Sequence, residues 1–318
     1  MNKNKLVSIL IPIYNREHLI EQTLQSISIQ TYKNFECIIV DDGSTDDTVG
    51  VISAFAKADP RFKIFIRSKD RTKGANSCRN IAFEKSRGEI IKWFDSDDIM
   101  LEDHLQLATH ALEDEQIDFV VSESEIFVDD KKKGAAPFHS SKDASLISPE
   151  NYAKFVVGWI TNDFTCKRNT ILNTRFNERF RTAGDEYNFF IKYLHNTTAG
   201  AFIDRVTTLY RQHDISLSSD VDVDEVKYHT NICEIKYLCS NDMIALSNYE
   251  LANWFMDGYI NHAHILMSKS TSIPFLRSAF KDLEIIKTST HANYLRLAQL
   301  SFRVFGKGYY FIRKARGN

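Results

Sequence analysis

Apolar positions in the first 125 residues alternate between two periods. Val7–Tyr14 and Phe35–Val40 are β-rich and nearly continuously apolar, as strands covered on both faces are. Phe62–Ile66, Ile90–Phe94 and Ile117–Val121 read as three further strands. Between them the spacing turns helical. Glu17–Ile29 carries Ile20, Leu24 and Ile27 on one face. Val49, Ile52 and Phe55/Ala56 line a second helix, which Ser44 or Thr45 can cap. Ala75–Ser86 reads as a helix through Cys78 and Ala82, and Leu101–Leu112 as another through Leu105 and Ala108. Strand–helix–strand alternation predicts right-handed crossovers and a Rossmann-like α/β fold: a mostly parallel central sheet with helices on both faces.

Past residue 125 the pattern loosens. Asp129–Ala136 is lysine-rich and reads as a solvated loop. Residues 150–215 mix helix and strand, with Ala201–Ile203 and Val206–Tyr210 as short strands. From about Val223 the spacing is helical, through Ile232, Ile235, Leu238, Leu251, Trp254, Phe255 and Tyr259. A boundary in Ser216-Leu217-Ser218-Ser219-Asp220 predicts an α/β domain over 1–218 and a helical C-terminal region over 219–318. The length of 318 residues suits one large and one smaller domain.

Composition narrows the function classes. With 43% hydrophobic and 26% charged residues, the chain has material for a sizeable core and is not disordered as a whole. A net charge of −2 argues against nucleic acid as a partner. The longest apolar runs fall far short of the ~20 residues of a membrane helix. No secretory signal pattern is visible, so the cytoplasm is the expected compartment. The five cysteines contain no C-x-x-C pair and read as free thiols.

In such sheets ligands bind outside the carboxyl ends of the strands. Those ends are Pro12-Ile13-Tyr14-Asn15-Arg16, Asp41-Asp42-Gly43-Ser44, Arg67–Lys73 and Asp95-Ser96-Asp97-Asp98. Three carboxylates in four residues repel one another unless a cation sits among them, and all-oxygen ligands suit Mg²⁺ or Mn²⁺. A turn leading into a capped helix explains the same residues. Asp42 reads either as part of a helix start or as an acceptor for a base N–H or a ribose hydroxyl. Lys73-Gly74-Ala75-Asn76 with Arg79 opens a helix, which is an anion site or an ordinary solvated face. Gly184-Asp185-Glu186-Tyr187 begins another helix, as a capping pair or as a source of a general base. There is no G-x-G-x-x-G and no G-x-x-x-x-G-K-[ST], which weighs against a dinucleotide dehydrogenase and excludes a P-loop NTPase.

Val7-Ser8-Ile9-Leu10-Ile11-Pro12-Ile13-Tyr14-Asn15, Val40-Asp41-Asp42-Gly43-Ser44-Thr45-Asp46-Asp47-Thr48 and Asp95-Ser96-Asp97-Asp98, in this order, resemble the family 2 glycosyltransferases of GT-A fold. Arg79-Asn80 resembles the family's R-N pair. The resemblance is strong over about 1–125, the nucleotide-sugar half. It is moderate over 126–215 and weak beyond, with the acceptor half read as about 126–218. It implies an inverting, metal-assisted transfer of a sugar, usually from a UDP-sugar donor, to a glycan or lipid-linked acceptor of the bacterial surface-polysaccharide type. Tyr14 would stack on the base and Asp42 would bond it, with Pro12 and Arg16 bordering that pocket. Lys73, Gly74 and Arg79 would line the nucleotide side. Asp95 would contact ribose or metal, Asp97 would be the main ligand of Mn²⁺ or Mg²⁺, and His213 a further ligand near the diphosphate. The family's base is the Asp of a Glu-Asp pair; here the order is reversed, so Glu186 takes that position, with Asp185 as the fallback. Acceptor contacts fall in 155–215, where Trp159, Asn162 and Asp163 are candidates.

Residues 294–318 hold Arg296, Arg303, Lys307, Arg313, Lys314 and Arg316 and no acid, interleaved with aromatic and aliphatic residues. Such a segment suits either the inner surface of an anionic membrane or docking on the catalytic domain with its charges in solvent. Two other functions share the acidic loops. A sugar nucleotidyltransferase would carry a glycine-rich basic loop after the first strand, and Ile11–Glu17 has no glycine. A non-catalytic nucleotide-sugar-binding homologue would tolerate the reversed Asp185-Glu186 pair.

Overall fold

The computed structural model describes residues 4–128, 131–136, 141–180, 184–212 and 224–317. Among the described residues nine strands form one sheet: β1 Val7–Ile13, β2 Phe35–Asp41, β3 Phe62–Ile66, β4 Ile90–Trp93, β5 Ile99–Met100, β6 Phe119–Val128, β7 Lys131–Ala135, β8 Phe164–Lys167 and β9 Gly200–Arg211. Their order is β3-β2-β1-β4-β8-β6-β9-β5, with β7 paired to β6. Helices α1 Ile20–Ser28, α2 Thr48–Ala58, α3 Ala75–Lys85, α4 His104–Ala111, α5 Pro149–Ala153 and α6 Asp185–Tyr193 lie among the strands in sequence. Five more follow: α7 Glu225–Ala245, α8 Tyr249–Ser268, α9 Leu276–Ile286, α10 Ser289–Phe305 and α11 Tyr309–Arg316.

The sheet is mixed rather than mostly parallel. β1 pairs in parallel with β2 and β4, and β2 with β3. Beyond β4 the chain pairs antiparallel through β8, on both of its sides. The expected parallel pairing therefore holds over β1–β4, is interrupted where β8 inserts, and returns between β6 and β9. Every residue of β1 and β2 is buried, which explains their continuous apolar sequence. One face of β1, through Val7, Ile9, Ile11 and Ile13, joins Ile20, Leu24 and Ile27 of α1 and Leu105 of α4 in a single core. Each such side chain contributes about 1.5–3 kcal/mol on burial.

Two other expectations change. The lysine-rich stretch is not a loop throughout, because Lys131–Ala135 forms β7, a hairpin partner of β6. The two short strands at 201–210 are one strand, β9, running on through the exposed Asp204 and Arg205 beside a register shift in β6. All five cysteines are free and buried, as read.

The chain divides into two compact units, residues 1–178 with 189–216 and residues 179–188 with 217–318. In the second, α7 and α8 pack as an antiparallel pair through Cys233, Leu238 and Met243 against Phe255, Tyr259 and Leu266, all buried. Asn248 caps α8 by accepting the Leu251 N–H at 3.0 Å.

Candidate active site

The loops after β1 and β2 are stitched together. Asn15, at φ +48°, accepts the Thr45 N–H on its Oδ1 at 2.8 Å, and its own N–H donates to Ser44 Oγ at 2.9 Å. Arg16 N–H donates to Thr48 Oγ1 at 2.8 Å. Ser44 and Thr45 therefore do not cap α2, whose N-cap is Asp47; they fix the first loop instead. Asp41 is buried and structural, accepting the Gly43 and Ser44 N–H groups at 2.8 and 2.9 Å. Pro12 is buried within β1 opposite Val40.

This stitching leaves Tyr14 39% exposed at the sheet edge, with Lys73 Nζ 4.3 Å from its ring centre. Asp42 directly follows the neighbouring strand β2, its N–H donating to the Ile13 carbonyl at 2.9 Å, and is buried. Its Oδ1 is bound by the Arg67 guanidinium and by the Gly74 N–H at 3.1 Å. Oδ2 takes no hydrogen bond among the described residues. Gly74 is the N-cap of α3 at φ +140°, a backbone shape that favours glycine. Sequence reasoning missed Arg67: it lies in a segment flagged as basic, but nothing in its neighbours distinguishes it from Arg71 or Lys69.

Arg79 projects from α3, buried, with Nη2 3.1 Å from Asp95 Oδ1. Arg16 Nε lies 3.4 Å from Asp97 Oδ2. These two carboxylates remain 27% and 21% exposed, whereas Asp98 is buried. Burial, then the charges of Asp97 and Asp95, push the Asp98 carboxyl well above the usual carboxylate range; the Arg211 N–H and guanidinium act against them. Beneath the loop, Asn162 accepts the Asp95 N–H at 2.9 Å and donates its Nδ2 to Asp98. Arg211 donates its N–H to Asp98 at 2.6 Å and its Nε–H to the Asp97 carbonyl at 2.8 Å. The ammonium of Lys92, fully buried, donates to the Asn162 and Phe164 carbonyls.

Trp159, Asn162 and Asp163 are all buried. They are thus placed to support the loop and the sheet rather than to offer an open acceptor surface. Asn162 and Arg211 were missed as loop-builders because their partners lie 64 and 113 residues away in sequence.

Asp185 and Glu186 are half-buried in the first turn of α6, grouped with the helical unit. Asn188, one turn on, donates its Nδ2 to Asp242 at 2.9 Å, and the Tyr187 ring meets Phe255 edge-on at 6.0 Å. His213 lies outside the described residues. Among the described residues no three His, Cys, Asp or Glu side chains form a metal-binding group. Two carboxylates on one loop fit Mg²⁺ or Mn²⁺, which commonly complete their shell with substrate phosphates and water.

Residues 8–167, just over half of the chain, match the family described as "Glycosyl transferase family 2". An uncharacterized glycosyltransferase of Rickettsia conorii is 32% identical over 145 residues, 45% of this chain and 23% of that one. The chain thus matches about a quarter of that relative's length. A Campylobacter jejuni GalNAc(5)-diNAcBac-PP-undecaprenol β-1,3-glucosyltransferase is 27% identical over 67% of this chain and 68% of its own. Among solved structures, S. aureus TarS 1–349 in complex with UDP-GlcNAc superposes with a TM-score of 0.65 at 16% identity, covering 98% of this chain and 89% of that one. A match across β1 to β8, carrying the loops after β1, β2, β3 and β4, means that the chain belongs to glycosyl transferase family 2, with the GT-A fold.

Proposed function

We propose that the chain is an inverting glycosyltransferase that moves a sugar from a UDP-sugar to a hydroxyl of a lipid-linked glycan. The observation that carries this reading is the gathering of Tyr14 with Lys73, Asp42 with Arg67, and Arg79 with Asp95 at the carboxyl ends of the parallel strands. The lipid-linked acceptor named for the Campylobacter relative and the UDP-GlcNAc bound by TarS support it. Residues 1–218 form the catalytic domain in this reading, with the acceptor half at 126–218, working at the cytoplasmic face of a membrane.

Tyr14 stacks the base, and Asp42 presents Oδ2 to a base N–H, its other oxygen being spent on Arg67 and Gly74. Arg16 and Arg79 hold the carboxylates of the Asp95–Asp98 loop and supply positive charge on the diphosphate side. A divalent Mn²⁺ or Mg²⁺ would be held by Asp97 and Asp95, with His213 as a further ligand, and would supply Lewis-acid stabilisation of the departing diphosphate. Glu186, with Asp185 as the alternative, takes the proton of the acceptor hydroxyl. The hydroxyl oxygen bonds to the anomeric carbon as the bond to the diphosphate breaks, so the configuration inverts and no enzyme nucleophile is needed. A positioned base of this kind contributes about 10²–10⁴-fold.

The test is to supply UDP-hexoses and undecaprenyl-diphosphate-linked saccharides and to read the product by mass spectrometry and its anomeric configuration by NMR. Release of UDP with an inverted linkage is expected. A retained configuration, or formation of UDP-sugar from UTP and a sugar phosphate, contradicts the proposal.

A further inference from the structure

Helix α10 has two apolar faces. Ala292, Leu295, Ala298 and Phe302 form the buried one. On the opposite side Leu297, Leu300 and Val304, spaced i, i+3, i+7, are 44%, 57% and 60% exposed. Phe305 follows at 74%, and after the turn at Gly306-Lys307-Gly308 come Tyr309 and Tyr310 at 56% and 63%. One exposed leucine is ordinary, but six large apolar or aromatic residues running along a helix and into the next mark a docking surface.

Charge selects the occupant. Arg303, Lys307, Arg313 and Lys314 are exposed on these two helices and their connecting turn, and among the described residues none of them meets a carboxylate. No acidic residue follows Glu284 in the chain. A second copy of the same face would bring cations against cations. An anionic surface with an apolar layer beneath it matches both features, and tyrosines suit the boundary between the two. No helix of the described residues is long and apolar enough to cross a membrane, so the contact lies in the plane of the surface.

We propose that the outer face of α10 and α11 docks on an anionic lipid bilayer. This deepens the reading of a lipid-linked acceptor, but its test uses neither donor nor acceptor, so the two can fail separately. The full chain is sedimented with vesicles of phosphatidylglycerol mixed with phosphatidylcholine, and with phosphatidylcholine alone. Binding to the mixed vesicles that weakens with salt is expected. Each cation removed lowers partitioning about fivefold, so Arg313→Gln with Lys314→Gln lowers it about 25-fold. Leu300→Asn with Val304→Asn lowers it at least about tenfold, with unchanged far-UV circular dichroism. Equal binding to both vesicles, or none to the anionic ones, overturns the proposal. So does a chain that forms dimers instead, dissociated by the Leu300→Asn, Val304→Asn variant, without vesicle binding.

Discussion

The Asp95–Asp98 loop is held by Asn162, just before β8, and by Arg211 of β9, whereas the Asp185–Glu186 turn is held by helices that follow it in the chain. In the first, Asn162 and Arg211 take up the backbone and the buried carboxylate by direct hydrogen bonds. In the second, Asn188 donates to Asp242, Tyr187 packs on Phe255, and Gly184 lies so close to Ile235 that an added Cβ would be 2.8 Å from its side chain. Lys236 lies 4.4 Å from the Trp254 ring centre and 5.9 Å from that of Tyr187, its ammonium pKa lowered by burial. A loop built on a dense hydrogen-bond network has one geometry available to it. A turn in contact with α7 and α8 takes its geometry from those helices.

The largest expected effect separates the roles of the two regions. Glu186→Gln lowers kcat by about 10²–10⁴-fold while leaving UDP affinity unchanged, as read by steady-state kinetics and calorimetry. Native turnover in that variant would remove Glu186 from the chemistry and send the assignment to Asp185. Next is the support of the first loop. Asn162→Ala leaves the Asp95 N–H and the buried Asp98 carboxylate short of a partner, a loss of about 1–3 kcal/mol in denaturant unfolding, together with weaker metal-dependent UDP binding. Unchanged binding would mean that the sheet network stabilises the fold without shaping the loop.

Asp242→Ala tests the second region in the same way. Loss of the acceptor for Asn188 lowers kcat about tenfold at unchanged donor KM, by misplacing the base. Asp242→Asn restores the rate, since its amide oxygen still accepts that bond; failure of the rescue would assign Asp242 another role. The smallest effect concerns pH. Burial, then His229 and Lys236, lower the His262 pKa to about 4, and its Nδ1 lies 2.8 Å from that of His229. Below the ordinary histidine value the unfolded chain binds the extra proton and the folded chain does not, so stability falls as pH drops from about 6.5 towards 4. Allowing for the partial exposure of the ring, the loss is about 1 kcal/mol. His262→Gln flattens that acid limb in thermal melts, and an unaltered limb would place the sensitivity elsewhere.

The same contrast explains what was legible in the sequence. β1 to β4 and the loops after them are written in contiguous residues, because a strand buried on both faces is apolar throughout and its end is marked by polar residues. Tyr14, Asp42, Lys73, Arg79 and Asp95 could be placed along one edge for that reason. What could not be read depends on pairings that the local sequence does not announce. The pairing of Lys131–Ala135 was hidden by its charges, which an edge strand tolerates and a loop prefers. β9 looked like two strands because Asp204 and Arg205 interrupt its apolar run while the backbone continues. Ser44 and Thr45 looked like helix caps because capping is their local habit; their bonds to Asn15 exist only once β1 and β2 lie side by side. Asn162 looked like an acceptor contact and instead lies under the acidic loop.

The central claim, a UDP site completed by a divalent cation at the Asp95–Asp98 loop, is tested most directly by calorimetric titration of UDP into the native chain and the Asp97→Ala variant, with and without Mn²⁺. Binding that depends on Mn²⁺ and is lost in the variant is the predicted result. UDP binding that is indifferent to both Mn²⁺ and Asp97, or absent altogether from the native chain, would contradict it.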